Sequence, residues 1–406
     1  MTILISIIVF LSVIMALVAA IVFVEDKLFQ HGEHKIEING EGSPVACFSG
    51  TSLLAGLQDH EIYLPSGCGG KGTCGDCKCQ VFEGAGQLLP SEAALIDHKL
   101  EKQHYRLACQ VKVREDMKIA VPDEVFNAVK FECVVRSNEN IATFIKELII
   151  ELPKDVAWSH KSGQYIQIDI PTYQCSFRDF DLGDFFKDLW DRHGLRHLNA
   201  ENDEATYRAY SLANHPNERD VLKCNIRIAL PPVNNHVVSA GIASSYLFNL
   251  KPKDKVTVCG PFGSFLIKET NREMVYIGGG VGMAPLRSHL FDLLEVQKED
   301  KRLISFWYGA RSVKDLFYIN EFEVLSKKHD NFSFHVALSE PDAHDAWEGA
   351  TGFIHQVCFD QYLQQHPEPE EIEYYLCGPT VMNEAVIKML DSLGVEEDKI
   401  AFDNFG

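Results

Sequence analysis

Four cysteines carry the first chemistry that this chain can do. Ser66 to Cys79 reads Ser-Gly-Cys-Gly-Gly-Lys-Gly-Thr-Cys-Gly-Asp-Cys-Lys-Cys, which spaces Cys68, Cys74 and Cys77 as Cys-x5-Cys-x2-Cys, and Cys109 follows later in Leu107-Ala108-Cys109-Gln110. Three grouped thiolates and a distant fourth in a glycine-rich loop suit a two-iron iron–sulphur cluster. Such a cluster needs one thiolate pair on each iron and backbone N–H groups aimed at its charged sulphurs. Gly67, Gly69, Gly70, Gly72 and Gly75 let the backbone wrap closely. Structural zinc also takes four cysteines, but usually as two close pairs two to four residues apart. Five residues separate the first pair here, one more than in the plant-type cluster spacing. Cys79, on a predicted strand Lys78 to Glu83, is expected to be a small core residue.

Two further stretches have the residue types of a nucleotide site. Met274-Val275-Tyr276-Ile277 is an apolar strand that runs into Gly278-Gly279-Gly280-Val281-Gly282-Met283-Ala284-Pro285, with a helix expected from Pro285. Strand, glycine turn and helix form a dinucleotide-cradling unit. The turn departs from Gly-x-Gly-x-x-Gly because Pro285 takes the third place counted from Gly280. Tyr374-Tyr375-Leu376-Cys377-Gly378-Pro379 ends another strand, and the carboxyl edge of such a sheet is where ligands bind.

These residues need several domains to hold them. The chain has 406 residues, enough for two to four cores. Its formal charge, 38 minus 58 or −20, argues against nucleic acid as a partner. Twelve cysteines are too sparse for a disulfide scaffold, and four need reduced thiols, so the bulk of the protein is expected in a reducing compartment. Ile3 to Val24 is a run of 22 residues without a charge, about 33 Å as a helix and enough to cross a bilayer core of about 30 Å. A cleaved signal peptide would need a basic start, which Met1-Thr2 lacks, so a retained transmembrane anchor over residues 1–26 is expected.

Along the rest of the chain, Lys35 to Ile38 reads as a strand into an Asn39-Gly40 turn, and Thr51 is placed to cap a short helix through His60. Pro90 to Gln103 reads as a polar helix leading back to Cys109. Strand-rich sequence follows at Phe131 to Arg136, Thr143 to Leu152 and Gly163 to Ile170. Tyr173 to Thr206, with Phe185, Phe186 and Trp190, is an inserted excursion or a partner-docking surface. Strands resume at Tyr207 to Leu212 and Asn225 to Ile228, and Ser244-Ser245-Tyr246 opens a helix whose free N–H groups and hydroxyls form an anion site, unless the serines merely cap it. Alternating strands and helices after residue 269 imply a parallel sheet.

Strand, turn, helix and cysteine loop in this order resemble the β-grasp ferredoxins, which sets a 2Fe–2S domain at 33–125. Arg208-Ala209-Tyr210-Ser211 resembles the flavin signature of the ferredoxin–NADP reductase superfamily. That resemblance implies an antiparallel β-barrel FAD domain over 130–268 and a Rossmann-like α/β NADH domain over 269–406. In it Arg208 pairs with a phosphate, the Tyr210 ring lies against the isoalloxazine, and the Ser211 hydroxyl bonds the flavin near its reactive nitrogen. Arg227 is a second arginine on the barrel, and Ser244 and Ser245 face the flavin pyrophosphate. The same superfamily has Gly-Gly-x-Gly-x-x-Pro, here Gly280, Gly282 and Pro285, sets the cysteine of its Cys-Gly-Pro motif, here Cys377, Gly378 and Pro379, beside the nicotinamide, and covers the flavin with a terminal aromatic, here Phe405.

The full length is similar to the F subunit of the sodium-translocating NADH:quinone oxidoreductases. What this implies is an NADH-oxidising subunit with FAD and one 2Fe–2S cluster, anchored at the cytoplasmic face of a bacterial inner membrane. Integral membrane subunits of the same Na⁺-pumping complex would be its partners and ubiquinone the eventual acceptor. The soluble reductase of a multicomponent oxygenase has the same three modules without an anchor, and a non-catalytic redox sensor is the third reading.

Overall fold

The computed structural model describes residues 2–28, 32–40, 42–232, 239–344 and 346–404. The chain divides into two compact units, Met1–Ala128 and Val129–Gly406.

The first unit begins with an α-helix, Thr2–Leu28, where the anchor was expected. Its described side chains, 5–20, are all exposed. Among the described residues no helix is long and apolar enough to cross a membrane. The expected transmembrane helix is therefore not supported among the described residues.

The globular part of the first unit is a five-stranded mixed sheet in the order Val45–Phe48, Glu33–Ile38, Met117–Ala120, Lys78–Glu83, Tyr105–Leu107. Glu33–Ile38 and Met117–Ala120 pair in parallel and the other neighbours antiparallel. The turn at Asn39-Gly40 takes left-handed φ values of 55° and 67°, which asparagine and glycine tolerate best. The short helix Leu53–Gln58 lays Leu53, Leu54 and Leu57 into the core. Its cap is Ser52, whose side chain accepts from the Ala55 N–H, and not Thr51, whose hydroxyl is drawn off to the Phe48 carbonyl. Only His98–Lys102 of the expected 90–103 helix is helical. The preceding turn is held around the buried carboxylate of Glu92, which accepts from the Leu89 and Leu107 N–H groups and so competes with a helical ladder.

The second unit contains a six-stranded antiparallel sheet in the order Thr206–Ser211, Tyr165–Ile170, Lys255–Phe262, Val129–Ala142, Ile145–Glu151, Val221–Arg227. A bridge from Leu212 to Cys224 joins its two edge strands, so the sheet closes as a barrel. The segment 173–206 is structured. Tyr173–Ser176 and Asn199–Asn202 form a hairpin, and a helix Asp184–Arg192 lies between them. Phe177, Phe180 and Trp190 are buried in the barrel core with Phe248. Trp190 stacks on Phe248 at 5.9 Å and donates to the Thr143 carbonyl at 2.8 Å, so the excursion stops one side of the barrel, while Phe185 is left exposed. Burial of a tryptophan of this kind is worth about 3–5 kcal/mol against alanine.

The rest of this unit is a parallel sheet in the order Ala350–Thr351, Phe332–Leu338, Ile304–Ala310, Met274–Gly279, Glu373–Gly378, Ile400–Asn404. Met274–Gly279 and Glu373–Gly378 are buried along their whole length, as strands covered by helices on both faces must be. The helix after the glycine turn spans Met283–Phe291, so Pro285 is its third residue and not its first. A proline is tolerated there because the first N–H groups of a helix have no partner within it.

Candidate functional site

In the first unit the four cysteine sulphurs gather in two pairs. Cys68 and Cys74 Sγ are 3.4 Å apart, and Cys77 hydrogen-bonds to Cys109. Within each pair the shared hydrogen bond pulls Cys68 and Cys109 down, to about 3 and about 7, and pushes Cys74 and Cys77 up. N–H groups of Thr73 and Cys74 aim at the Cys68 sulphur, that of Asp76 at Cys74, and that of Gly72 at Cys109. Gly72 takes a left-handed φ of +75°, which would strain any residue with a side chain, and its position is packed against the Gln110 side chain. Among the described residues no three such side chains converge on a point that one metal ion could occupy. Two sulphur pairs within a shell of backbone donors fit a two-iron cluster better than a tetrahedral zinc. Cys79 is buried in the core beside them.

Behind the loop, Arg106 and Glu92 form a buried two-point ion pair, at 2.9 Å from Nε and 2.6 Å from Nη2. Arg106 spends its other donors on the carbonyls of Ala85, Gly86 and Gln87. Burial alone would raise the Glu92 carboxyl, but Arg106 and the two backbone donors outweigh it and hold it below the usual range. No sequence signal pointed to this pair, since the partners are fourteen residues apart, Glu92 in a turn and Arg106 on the strand Tyr105–Leu107.

In the second unit the residues singled out from the sequence lie on strands, on the first turns of helices and in the glycine turn. Arg208 hydrogen-bonds to the Thr206 hydroxyl and the Tyr207 carbonyl, and Tyr210 is half-buried, its hydroxyl pushed up by burial. Arg227 is exposed at the end of its strand. Ser244 lies within the first turn of the helix Ile242–Asn249, which Gly241 caps, and its hydroxyl accepts from the Ala229 N–H at 3.0 Å. Ser245, next to it, is fully buried.

Gly280 takes φ +56°, and a Cβ on Gly282 would lie 1.9 Å from the Cys377 carbonyl oxygen, so the glycine turn rests on the backbone of the Cys-Gly-Pro strand. Pro379 caps the helix Thr380–Ser392, and a Cβ on Gly378 would meet Met382 at 2.5 Å. Cys377 is fully buried, and burial first, then the charge of Asp403, keeps its thiol protonated.

Asp403 joins these pieces. It is the register partner of Cys377 on the neighbouring strand, and it accepts a 3.1 Å hydrogen bond from the Ser211 hydroxyl. Asn383 donates to the carbonyls of Gly378 and Asp403. Nothing local in the sequence assigns Asp403 a contact with Ser211, 192 positions earlier. Phe405 lies outside the described residues.

Residues 36–114 match the 2Fe-2S iron-sulfur cluster binding domain family, residues 193–267 the oxidoreductase FAD-binding domain, and residues 276–388 the oxidoreductase NAD-binding domain. The F subunit of a Na(+)-translocating NADH-quinone reductase in Idiomarina loihiensis is 47% identical over 98% of this chain and 97% of its own length. Its counterpart in a Marinomonas species is 46% identical over 100% and 98%, and that of Pseudomonas aeruginosa 48% over 98% and 97%. The chain belongs to the family of F subunits of the Na(+)-translocating NADH-quinone reductases. In keeping with that membership, it is an oxidoreductase chain with iron–sulphur, FAD and NAD domains in that order. Among solved structures it is similar in fold to the Amycolatopsis cytochrome P450 reductase GcoB, with a TM-score of 0.67 at 22% identity over 92% of this chain and 98% of that one. It is also similar to a ferredoxin reductase in carbazole 1,9a-dioxygenase, with a TM-score of 0.60 at 25% identity over 93% and 99%.

Proposed function

We propose that this chain is the electron-input subunit of a Na⁺-translocating NADH:ubiquinone oxidoreductase. Hydride passes from NADH to FAD, and electrons then pass one at a time to the 2Fe–2S cluster and on to integral membrane subunits that reduce ubiquinone and move Na⁺. FAD, when bound, takes an electron pair and returns single electrons, which is the conversion a one-electron cluster needs. The observation that carries this reading is the meeting of Ser211 and Cys377 at Asp403.

The residues of the chain have distinct duties in it. Arg208 and Arg227 would pair with the flavin phosphates, the free N–H groups at the start of the helix that carries Ser244 and Ser245 would add donors, and Tyr210 would cover the ring. Ser211 donates to Asp403, which leaves its oxygen lone pairs for a donor on the flavin. Gly280, Gly282 and Pro285 admit the NADH pyrophosphate, with Gly378 and Pro379 bounding the far side of the turn. Cys377, held as a neutral thiol, would present a soft uncharged group to the nicotinamide. Cys68, Cys74, Cys77 and Cys109 would hold the cluster.

The finer localisation is the cytoplasmic face of a bacterial inner membrane, with 3–24 inserted as a single pass. Its support is the uncharged run itself. A charge-free helix offers no polar path, so the ion must move through the partner subunits. The oxygenase-reductase alternative shares the fold, but its representatives are 22–25% identical, against 46–48% for the F-subunit relatives.

Anaerobic titration of the purified chain with NADH, followed by absorbance and EPR, tests the electron path. Flavin bleaching together with one reduced 2Fe–2S signal is expected. Stoichiometric zinc with no flavin overturns it. Co-purification with integral membrane subunits, against recovery with a soluble oxygenase, decides the setting.

A further inference from the structure

The helix Met283–Phe291 begins at the glycine turn, and its body is fastened to the loop that follows Ser211. Arg287 is 5% exposed and donates through Nη1 to the Ala213 carbonyl at 2.7 Å. The next residue, Ser288, is fully buried and donates to the Asn214 carbonyl at 2.8 Å. A buried guanidinium persists only when its charge and its donors are met. Here Glu321 takes Nε and Nη2 at 2.9 and 2.8 Å, and the Phe291 and Tyr318 rings lie 4.4 and 5.0 Å from the guanidinium carbon.

The receiving loop is itself stiff. The Asn214 side chain donates to the Val221 carbonyl at 3.0 Å and accepts from the Lys223 N–H at 2.9 Å, and the Ala213 N–H donates to the Lys223 carbonyl at 2.7 Å. Ala213 is two residues beyond Ser211, and Arg287 is five beyond Gly282, about 7.5 Å along a helix. A rigid bond path therefore runs from the nicotinamide turn to the flavin strand with no exposed member.

We propose that Arg287 and Ser288 are positioning residues that fix the separation between the nicotinamide and flavin sites by clamping this helix to the Ala213 and Asn214 carbonyls. The proposal rests on the NADH-to-FAD reading above. Hydride transfer breaks the C4–H bond of NADH and delivers the pair with its proton to the flavin, so its rate depends steeply on the distance between the two rings. An arginine is needed because one planar fork reaches the carbonyl, the carboxylate and the aromatic faces at once. Were the pair only structural, its loss would lower the melting temperature and leave the ring contact as it was.

The test is anaerobic stopped-flow reduction of the FAD-loaded full chain by NADH. It follows the flavin band and the long-wavelength charge-transfer absorbance between nicotinamide and flavin, and it is repeated with 4,4-dideuterated NADH. In Arg287→Met the saturated rate of flavin reduction should fall about tenfold or more, with a weaker charge-transfer band, a changed isotope effect, and half-saturation by NADH within about threefold of wild type. Ser288→Ala should fall about threefold. A folded, FAD-loaded Arg287→Met whose rate and charge-transfer band stay within about twofold of wild type overturns the clamp. Should Arg287→Met fail to fold or to keep FAD, Ser288→Ala decides by the same criterion. Wild-type protein whose flavin is not reduced by NADH would instead sink the function proposed above.

Discussion

The cysteine loop and the Ser211–Cys377 region each gather the side chains of a proposed site, but they do so by opposite means. Three of the four cysteines come from one loop of ten residues, 68–77, whose backbone donors point inward at the sulphurs. The second site is gathered from positions 211, 282, 377 and 403, each at the end of a different element. The first is specified by residue identity along a short stretch of chain, the second by the closing of a barrel onto a parallel sheet. A site of the first kind should fail chemically when one side chain is lost. One of the second kind should fail geometrically when the fit between elements is disturbed.

The sharpest way to break this contrast is Cys74→Ala. Reduction of the cluster and electron delivery to quinone should be abolished while flavin reduction by NADH continues at its usual rate. Loss of both, read by stopped-flow and EPR, would mean that the cysteines hold the fold together and that the two sites are not separable.

Gly282→Ala is the geometric counterpart. With a Cβ forced to within 1.9 Å of the Cys377 oxygen, the turn must shift by about 1 Å, and flavin reduction by NADH should slow by roughly 10²-fold. The dithionite-reduced cluster spectrum should not change. An unaltered rate would show that the turn does not set the nicotinamide position.

Next in size is Arg106→Met, which strands the buried Glu92 carboxylate and should destabilise the first unit by about 3–5 kcal/mol, read as an early melting transition. NADH-dependent ferricyanide reduction by the second unit should persist. The same pair sets a pH window. Glu92 is depressed in the folded state, so its contribution is present above its unfolded value of 4.5 and is lost as pH falls below it. The gap in melting temperature between wild type and Arg106→Met should therefore narrow as pH drops below 4.5, and a gap that stays constant would show that the ion pair is not its source.

The smallest effect concerns Lys146, fully buried between the Asn138 and Phe248 carbonyls and pushed by burial down to about 8 from 10.5. Between those values the unfolded chain binds the extra proton, so stability should rise with pH across about 8 to 10.5. The melting temperature of wild type relative to Lys146→Met should climb over that range, and a flat difference would refute the assignment.

Much of this was legible before folding was considered. Cys-x5-Cys-x2-Cys fixes its own chemistry, because thiolates in a glycine-rich loop have few other uses. The buried strands Met274–Gly279 and Glu373–Gly378 announced themselves as apolar runs ended by glycine. Local competition was harder to read. Whether Thr51 or Ser52 caps a helix depends on which hydroxyl the Phe48 carbonyl captures, and Pro90 to Gln103 lost most of its helix to a buried glutamate that only the tertiary fold supplies with an arginine.

By itself, then, the sequence determined the kinds of chemistry present and their order along the chain, since these depend on residue type and spacing over a few positions. Only the tertiary structure decided that Asp403 meets Ser211, that 173–206 stops the side of a barrel, and that Arg287 reaches the Ala213 carbonyl. Those contacts join residues tens to hundreds of positions apart. Their energy comes from apolar rings buried in the core and from buried polar groups whose desolvation is offset by partners that no local pattern encodes.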